Sequence, residues 1–365
     1  MKIELKQVLY PQPKSKIKAS DGKSEGKYKF FTSSPMQTRF IDEANYDKPS
    51  LIFGTGGNAS VHFCDEPFST STDCLVMYGR NKIELESIYN YLKGNISLLE
   101  HGFKGAGLKH ISKDYILAIE IELPSEAMQH EFLQKNQIVD EIIEAKRTQL
   151  LLSEALVKSR FIEMFEDPVT NPLRWAMLPL EKCLTVLGGY AFKSEEFKTS
   201  GVPVLRIGNI NTGAFTPTNM VYWSKDDCLT RYQVLPGDLV ISLTGTVGKD
   251  DYGNVCILGN AYPMYYLNQR NAKLILDDEL NKHYLSELLK FSQIKKKLTG
   301  ISRGVRQANI SNRDILNLVV PIPPIEIQVQ FAAFVEQVDK SKFEIQQSLE
   351  KLEILKKSLM QQYFG

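Results

Sequence analysis

The sequence predicts an α+β protein in which two mixed, strand-rich domains are joined by two long helices packed as an antiparallel coiled coil. An internal pseudo-twofold repeat relates the two halves. Three observations predict this. When the 365-residue chain is slid by 199 positions, residues 105–165 lie over 304–364 without a gap. Gly105 then meets Gly304, Ile111-Ser112 meets Ile310-Ser311, Pro124 meets Pro323, Gln129 meets Gln328 and Val139-Asp140 meets Val338-Asp339. Each copy also holds a run of about forty residues without glycine or proline, and each run follows a segment of β-branched stretches broken by glycine.

The first globular domain is expected at 1–123. "KPSLIFGTGGNASVHFC" has the strand, tight loop and strand of a hairpin. A central helix follows over 124–167, started by Pro124-Ser125, because proline suits a first helical turn. Phe132, Val139, Ile143, Leu150, Val157 and Met164 form its apolar seam. The second globular domain, 168–322, repeats the hairpin as "PGDLVISLTGTVGKDDYGNVC" and adds the strand-like "PVLRIGNI". A C-terminal helix over 323–365 starts at Pro323-Pro324. Its seam of Phe331, Val335, Val338, Ile345, Leu349, Leu352, Leu359 and Tyr363 falls at alternating steps of four and three, with Lys342 and Lys356 the polar exceptions. Each helix is roughly 60 Å long at about 1.5 Å per residue. Two such seams in one chain bury each other most simply, and the globular segments between them favour an antiparallel pair.

Composition narrows the function classes. At 43% hydrophobic and 24% charged residues the chain reads as globular. A net charge of +1 means that any anion binding has to come from local concentration of charge. Five scattered cysteines with no CxxC pair, no apolar leader and no run of 18 apolar residues predict a reduced, cytoplasmic chain without a membrane span.

Catalytic chemistry finds little support. "TGTVGK" (244–249) ends like a phosphate loop, but Leu243 stands where the first glycine belongs and Asp250 follows the lysine. "GTGGNAS" (54–60) lacks the lysine, and "NPLRW" (171–175) lacks the second proline and adjacent aromatic of an amino-methyltransferase element. His62, Cys64 and Cys74 have no fourth ligand at a zinc spacing. Asp114, Glu120 and Glu122 alternate along "DYILAIEIEL" like the solvated face of a strand. No cofactor or metal is expected.

Binding chemistry is plentiful. "ISRGVRQANIS" (301–311) lies in an acid-free interval from Glu287 to Asp314 that also holds Lys290, Lys295, Lys296, Lys297 and Arg313. Arg303, Arg306, Gln307 and Asn309 are side chains able to pair bidentately with guanine and adenine edges in a major groove. The three adjacent lysines, Lys296 among them, suit a phosphate backbone. The sister stretch "GFKGAGLKHIS" (102–112) carries Lys104, Lys109 and His110 at differing positions, so the two copies would read different short sequences. A lysine-rich tract that includes Lys27 and Lys29 supplies charge to the first domain. Thr55 and Asn58 in one hairpin loop, Thr244, Thr246 and Lys249 in the other, and Lys193, Arg206, Asn209, Gln269 and Arg270 complete the DNA-binding candidates. The first long helix carries more acids than bases and is better suited to a spacer or partner surface.

"LVKSRFIEMFEDPVTNPLRWAMLPLEKC", "VLPGDLVISLTGTVGK", "YYLNQRNAKL", "RQANISNRDILNLVVPIPPIEIQVQFAAFVEQVD" and "LEKLEILKKSLMQQYFG" strongly resemble the specificity subunits of Type I restriction-modification enzymes. The resemblance is close over 123–365. Over 1–122 it is an outline, carried by "LIFGTGG" and "GLKHIS". It implies a non-catalytic DNA reader with two target recognition domains, each binding half of a split double-stranded target. The helices would space the halves and dock two methyltransferase subunits, and through them a motor-nuclease subunit. Those partners, not this chain, would bind S-adenosylmethionine and methylate adenine N6. Two other readings stay open from the residues alone: a free-standing DNA-acting nuclease or methyltransferase, and a coiled-coil adaptor that does not touch DNA.

Overall fold

The computed structural model describes residues 2–105, 109–300 and 307–365, with the side chain of Gln307 excepted. The chain divides into two compact units, residues 1–148 with 345–365, and residues 149–344. Each unit holds one end of each long helix.

In the first unit a central antiparallel sheet has the order Tyr10–Pro11, Cys74–Tyr78, Ser50–Gly54, Val61–Cys64. Ser50–Gly54 is buried along its whole length, as its unbroken apolar run requires of an inner strand. A second sheet sets Tyr28–Phe31 antiparallel to Arg39–Ile41 and parallel to Phe68–Thr70. Lys2–Glu4 pairs with Glu120–Glu122 in a separate ribbon. Helix Lys82–Gly94 is capped by the Asn81 side chain, which accepts from the amides of Ile83 and Glu84. It covers the sheet with Leu85, Ile88 and Leu92.

The second unit repeats the plan. Its central sheet has the order Leu184–Gly188, Asn271–Leu276, Leu239–Ser242, Val255–Ile257. Its second sheet again contains one parallel pair, Val202–Leu205 with Tyr265–Leu267. Ala176–Pro179 pairs with Val319–Ile322, where the first unit pairs its own first and last strands. The short helices Lys113–Leu117 and Asn312–Leu316 each start at a serine N-cap, Ser112 and Ser311, 199 positions apart. The internal repeat is therefore a repeat of fold as well as of letters.

The long helices are Glu126–Phe165 and Ile325–Phe364. In the first unit Phe132 packs on Tyr363 and Phe364, with ring centroids 5.6 and 5.1 Å apart. Asp140 pairs with Lys356, and Arg147 lies 3.5 Å from Glu353. Contacts that advance on one helix while retreating on the other define an antiparallel pair. In the second unit Phe161 and Phe165 both meet Phe331.

Two expectations need correction. Phe161 and Phe165, absent from the predicted seam, are buried while Leu150 and Met164 are only half-buried. A strict seven-residue repeat drifts on a 3.6-residue helix, and here the apolar face turns toward helix Lys282–Lys290, where Phe161 stacks on Tyr284 at 5.5 Å. Asp114, read as a strand residue, lies in helix Lys113–Leu117, and only Glu120 and Glu122 alternate outward on a strand. No helix among the described residues is long and apolar enough to cross a membrane.

Candidate nucleic-acid interface

In both units the candidates collect where the same inner strand of the central sheet runs out. In the first unit the strand ends at Gly54. The Thr55 carbonyl then accepts from the Ile111 amide at 3.2 Å and lies 3.1 Å from His110 Nδ1. His110 and Lys104 exchange a pair of backbone hydrogen bonds, both 3.0 Å. Thr55, Lys104, Lys109 and His110 are thus held together, the last three exposed. Asn58 stands exposed on the connecting loop beside Gly57, whose φ of 79° permits the tight turn. The Thr55 hydroxyl donates to the Asp73 carbonyl at 2.9 Å, so it braces the loop and has no proton left to offer a base.

In the second unit the same position opens into a ribbon. Thr244 faces Asn309 and Thr246 faces Gln307 across an antiparallel pair. Ile310 donates to the Leu243 carbonyl at 2.8 Å, as Ile111 does to Thr55. Thr246 and Asn309 are exposed, Thr244 half-buried. The loop beyond holds exposed Lys249, but Asp250 and Asp251 follow directly, and Asp251 accepts from the Thr246 amide at 2.8 Å. Arg303, Arg306 and the side chain of Gln307 lie outside the described residues.

Beside this ribbon a cleft of about 430 Å³ brings together Arg206, Asn209, Gln269 and Arg270. The Arg270 carbonyl accepts from the Leu243 amide at 2.8 Å, which fixes the cleft to the same end of the sheet. Lys193 is exposed between two residues that line it, Phe192 and Ser194, and lies 3.4 Å from Glu196.

Some candidates are placed otherwise than the sequence suggested. Asn209 is 3% exposed, and its side chain is used up within its own loop. The side-chain oxygen accepts from the Arg206 amide at 3.0 Å, and the amide nitrogen donates to the carbonyls of Thr216 and Thr218, both 3.0 Å. It shapes the cleft, and both of its amide protons are already spent within its own loop. The lysine triplet also divides. Lys296 and Lys297 are exposed, but Lys295 is 8% exposed, paired with Asp250 and donating to Asn254 Oδ1 at 2.6 Å. One lysine in three thus holds the loop from inside, because helix Ser292–Thr299 can turn only part of its circumference to water. Lys27 and Lys29 stand apart from the Thr55 cluster. Phe31 marks that end of strand Tyr28–Phe31, accepting from Ser71, which puts Lys27 about 13 Å back at roughly 3.3 Å per residue. Lys29 is 3.3 Å from Glu66 and Lys27 lies over the Tyr28 ring at 5.0 Å.

The metal candidates are packing residues. Burial pushes the Cys74 thiol up to about 11, raises Cys64 and lowers the His62 imidazole, whose Nε2 sits 2.9 Å from the Ser34 carbonyl. Among the described residues no group of three His, Cys, Asp or Glu is placed to hold a metal ion. Sequence reasoning missed Ser194, Asn219 and Asn268 of the cleft. Only Asn268 gave a signal, as the neighbour of Gln269-Arg270.

Two repeats of one strand-rich fold, each ending its central sheet in polar and cationic loops and each holding one end of both long helices, define the class: a protein with two like binding units. A family model for the Type I restriction modification DNA specificity domain matches residues 1–152 and 172–356, and the chain belongs to that family. It is 24% identical over 387 residues to the Type I restriction enzyme MjaVIII specificity subunit of Methanocaldococcus jannaschii, spanning 97% of this chain and 89% of that one. It is 26% identical over 193 residues to the EcoKI specificity subunit of Escherichia coli K12, spanning 48% of this chain and 39% of the relative. In fold it matches the S subunit of a Type I restriction-modification system from M. genitalium with a TM-score of 0.63, at 16% identity, over 100% of this chain and 96% of that one. A second structure, from work on complex assembly and conformational transition of the Type I system, matches with a TM-score of 0.55 at 15% identity, over 100% and 97%.

Proposed function

We propose that this chain is the non-catalytic reader of a Type I restriction-modification system, in which each strand-rich unit recognises one half of a split double-stranded target. In this reading recognition domains at 1–123 and 168–322 alternate with spacer helices at 124–167 and 323–365. The observation that carries it is the repeated end of the central sheet. The same backbone frame presents Lys104, Lys109 and His110 in one unit and Thr244, Thr246 and Asn309 in the other, so two dissimilar half-targets are read by one architecture. Phosphate-facing lysines would position each unit, and the amide and hydroxyl side chains would meet base edges.

The helix pair is the surface offered to two methyltransferase subunits, and through them to a motor-nuclease subunit. Leu151, Leu152 and Leu156 support this, for they are more than half exposed on the first helix, where burial against a partner would remove apolar surface from water. A map of N6-methyladenine in cells with and without the gene tests the reading. One bipartite motif with a fixed gap should lose its methylation on deletion. Loss of two unlinked motifs, or of none while the methyltransferase is expressed, would count against it. Leu151→Asp with Leu152→Asp should abolish co-purification of the methyltransferase and leave duplex binding by the isolated chain unchanged.

A further inference from the structure

We infer that the cleft of the second unit is a phosphate-ester site gripped by Arg206 and Arg270, and that the first unit carries no counterpart. This rests on the DNA-reading role proposed above and identifies which group of the ligand this cleft takes.

The cleft's volume of about 430 Å³ lies within the range of small-ligand sites. Arg206, Arg270, Gln269, Asn268, Asn219 and Ser194 supply polar lining, Phe192 and Phe197 form apolar wall, and no acid lines it among the described residues. The two guanidinium groups come from different loops. Arg206 is anchored by Nη2, which donates to the Asn219 carbonyl at 2.6 Å, while its Nε is buried with no hydrogen-bond partner among the described residues. Nε is shut off from the cleft, so an oxyanion there would be met by the terminal guanidinium nitrogens in a charge-assisted bond. Arg270 has an exposed side chain on a fixed backbone, its amide donating to Asn268 Oδ1 at 3.2 Å. Two planar forks, neutral donors and no acid make the chemistry of a site for phosphate oxygens. The volume leaves room for the sugar attached to them.

The first unit has the same backbone with the opposite charge. Thr55 donates to the Asp73 carbonyl at 2.9 Å as Leu243 does to Arg270 at 2.8 Å. Ser71 donates to Phe31 at 2.8 Å as Asn268 does to Leu205 at 3.3 Å. By these bonds Asp73 occupies the place of Arg270, and Thr32 that of Arg206. A carboxylate at that place repels a phosphate.

Two substitutions test the site in the full chain. Arg270→Gln removes a charge from an exposed side chain. Gly208→Leu fills the cleft, since a Cβ there would meet nothing within 4 Å and the backbone is outside the left-handed region. Binding to a target duplex is measured across salt concentrations, and inorganic phosphate and a deoxynucleoside monophosphate are titrated into the protein alone. Loss of one phosphate contact should flatten the slope of log affinity against log salt by about 0.9. If both variants show this, the duplex backbone supplies the phosphate. If the slope stays put but saturable binding of the free phosphates disappears in both variants, the ligand is a free phosphate ester. Flattening in Arg270→Gln alone would place the contact outside the cleft and overturn the inference, as would no effect in either assay. If the wild-type chain binds no duplex, the DNA-reading proposal fails, and the free-phosphate titration still decides the cleft.

Discussion

Lys295 and Lys296 are neighbours in sequence with opposite assignments, and replacing each by methionine separates them. The methionine keeps most of the aliphatic stem, so the change removes chiefly the ammonium group. At Lys295 that group donates to Asn254 Oδ1 at 2.6 Å and pairs with Asp250. The Asp250 side chain is 88% exposed, so that ion pair contributes at most about 1 kcal/mol. The bond to Asn254 is charge-assisted and part-buried, worth about 1.5–3 kcal/mol, and its loss leaves Asn254 without that donor. Lys295→Met should therefore destabilise the second unit by about 2–3 kcal/mol. With a urea m-value of roughly 2–3 kcal/mol per molar, the midpoint falls by about 1 M. Tryptophan fluorescence follows it cleanly, because the only two tryptophans, Trp175 and Trp223, both lie in the second unit. The salt dependence of duplex binding should not change. Lys296→Met should do the reverse, leaving the midpoint in place and flattening the salt slope by about 0.9. A Lys295→Met protein with an unshifted midpoint and a flattened slope would refute the division.

Phe161→Ala, which empties a ring site 0% exposed between Phe165, Tyr284, Phe291 and Phe331, should cost about 3–5 kcal/mol in the same fluorescence assay. Burial, with Lys282 adding to it and Glu336 opposing it, holds the His283 imidazole below its ordinary range. Its contribution to stability is complete above about pH 6.5 and is lost as pH falls through the lower folded value, so urea midpoints should drop between pH 7 and 5, and less so in His283→Gln. The repeated glutamines should differ. Gln328 makes three bonds, to the Pro323 and Glu279 carbonyls and from the Asn281 amide, so Gln328→Leu should cost about 3 kcal/mol. Among the described residues Gln129 bonds only the Pro124 carbonyl and its buried Oε1 has no partner, so Gln129→Leu should cost about 1 kcal/mol or less by circular dichroism melting.

The frame was legible in the sequence because it rests on periodic and local signals. Proline starts, glycine-free runs and the 199-residue offset located both long helices and their pairing, and β-branched runs located the inner strands Ser50–Gly54 and Leu239–Ser242. The candidate site was less legible, because composition does not say which way a side chain turns. Lys295 and Lys296 carry the same charge, yet one is buried and one exposed, and only the rotation of their helix against the loop decides which. Asn209 was a DNA-binding candidate by residue type, but its amide protons are spent on the carbonyls of Thr216 and Thr218, bonds that exist only once the loop has folded back. The cleft was invisible as a unit. Ser194, Arg206, Asn219 and Arg270 span 76 positions and meet only because Val202–Leu205 lies parallel to Tyr265–Leu267.

On the inference drawn above, the equivalence of Asp73 and Arg270 lets two units of one fold take different half-targets. The bonds that define this corner run between backbone groups, Thr55 to Asp73 and Leu243 to Arg270, and from Ile111 and Ile310 back to the same strand ends. None of them uses the side chain at position 73 or 270, so that side chain can reverse its charge without disturbing the register of the sheet beneath. On that inference stability and specificity are divided. The buried strands and the Phe132 and Phe161 clusters hold each unit together, while the exposed positions at the strand ends change at little cost to the fold. Recognition can diverge at those positions for as long as the backbone bonds beneath them hold the corner.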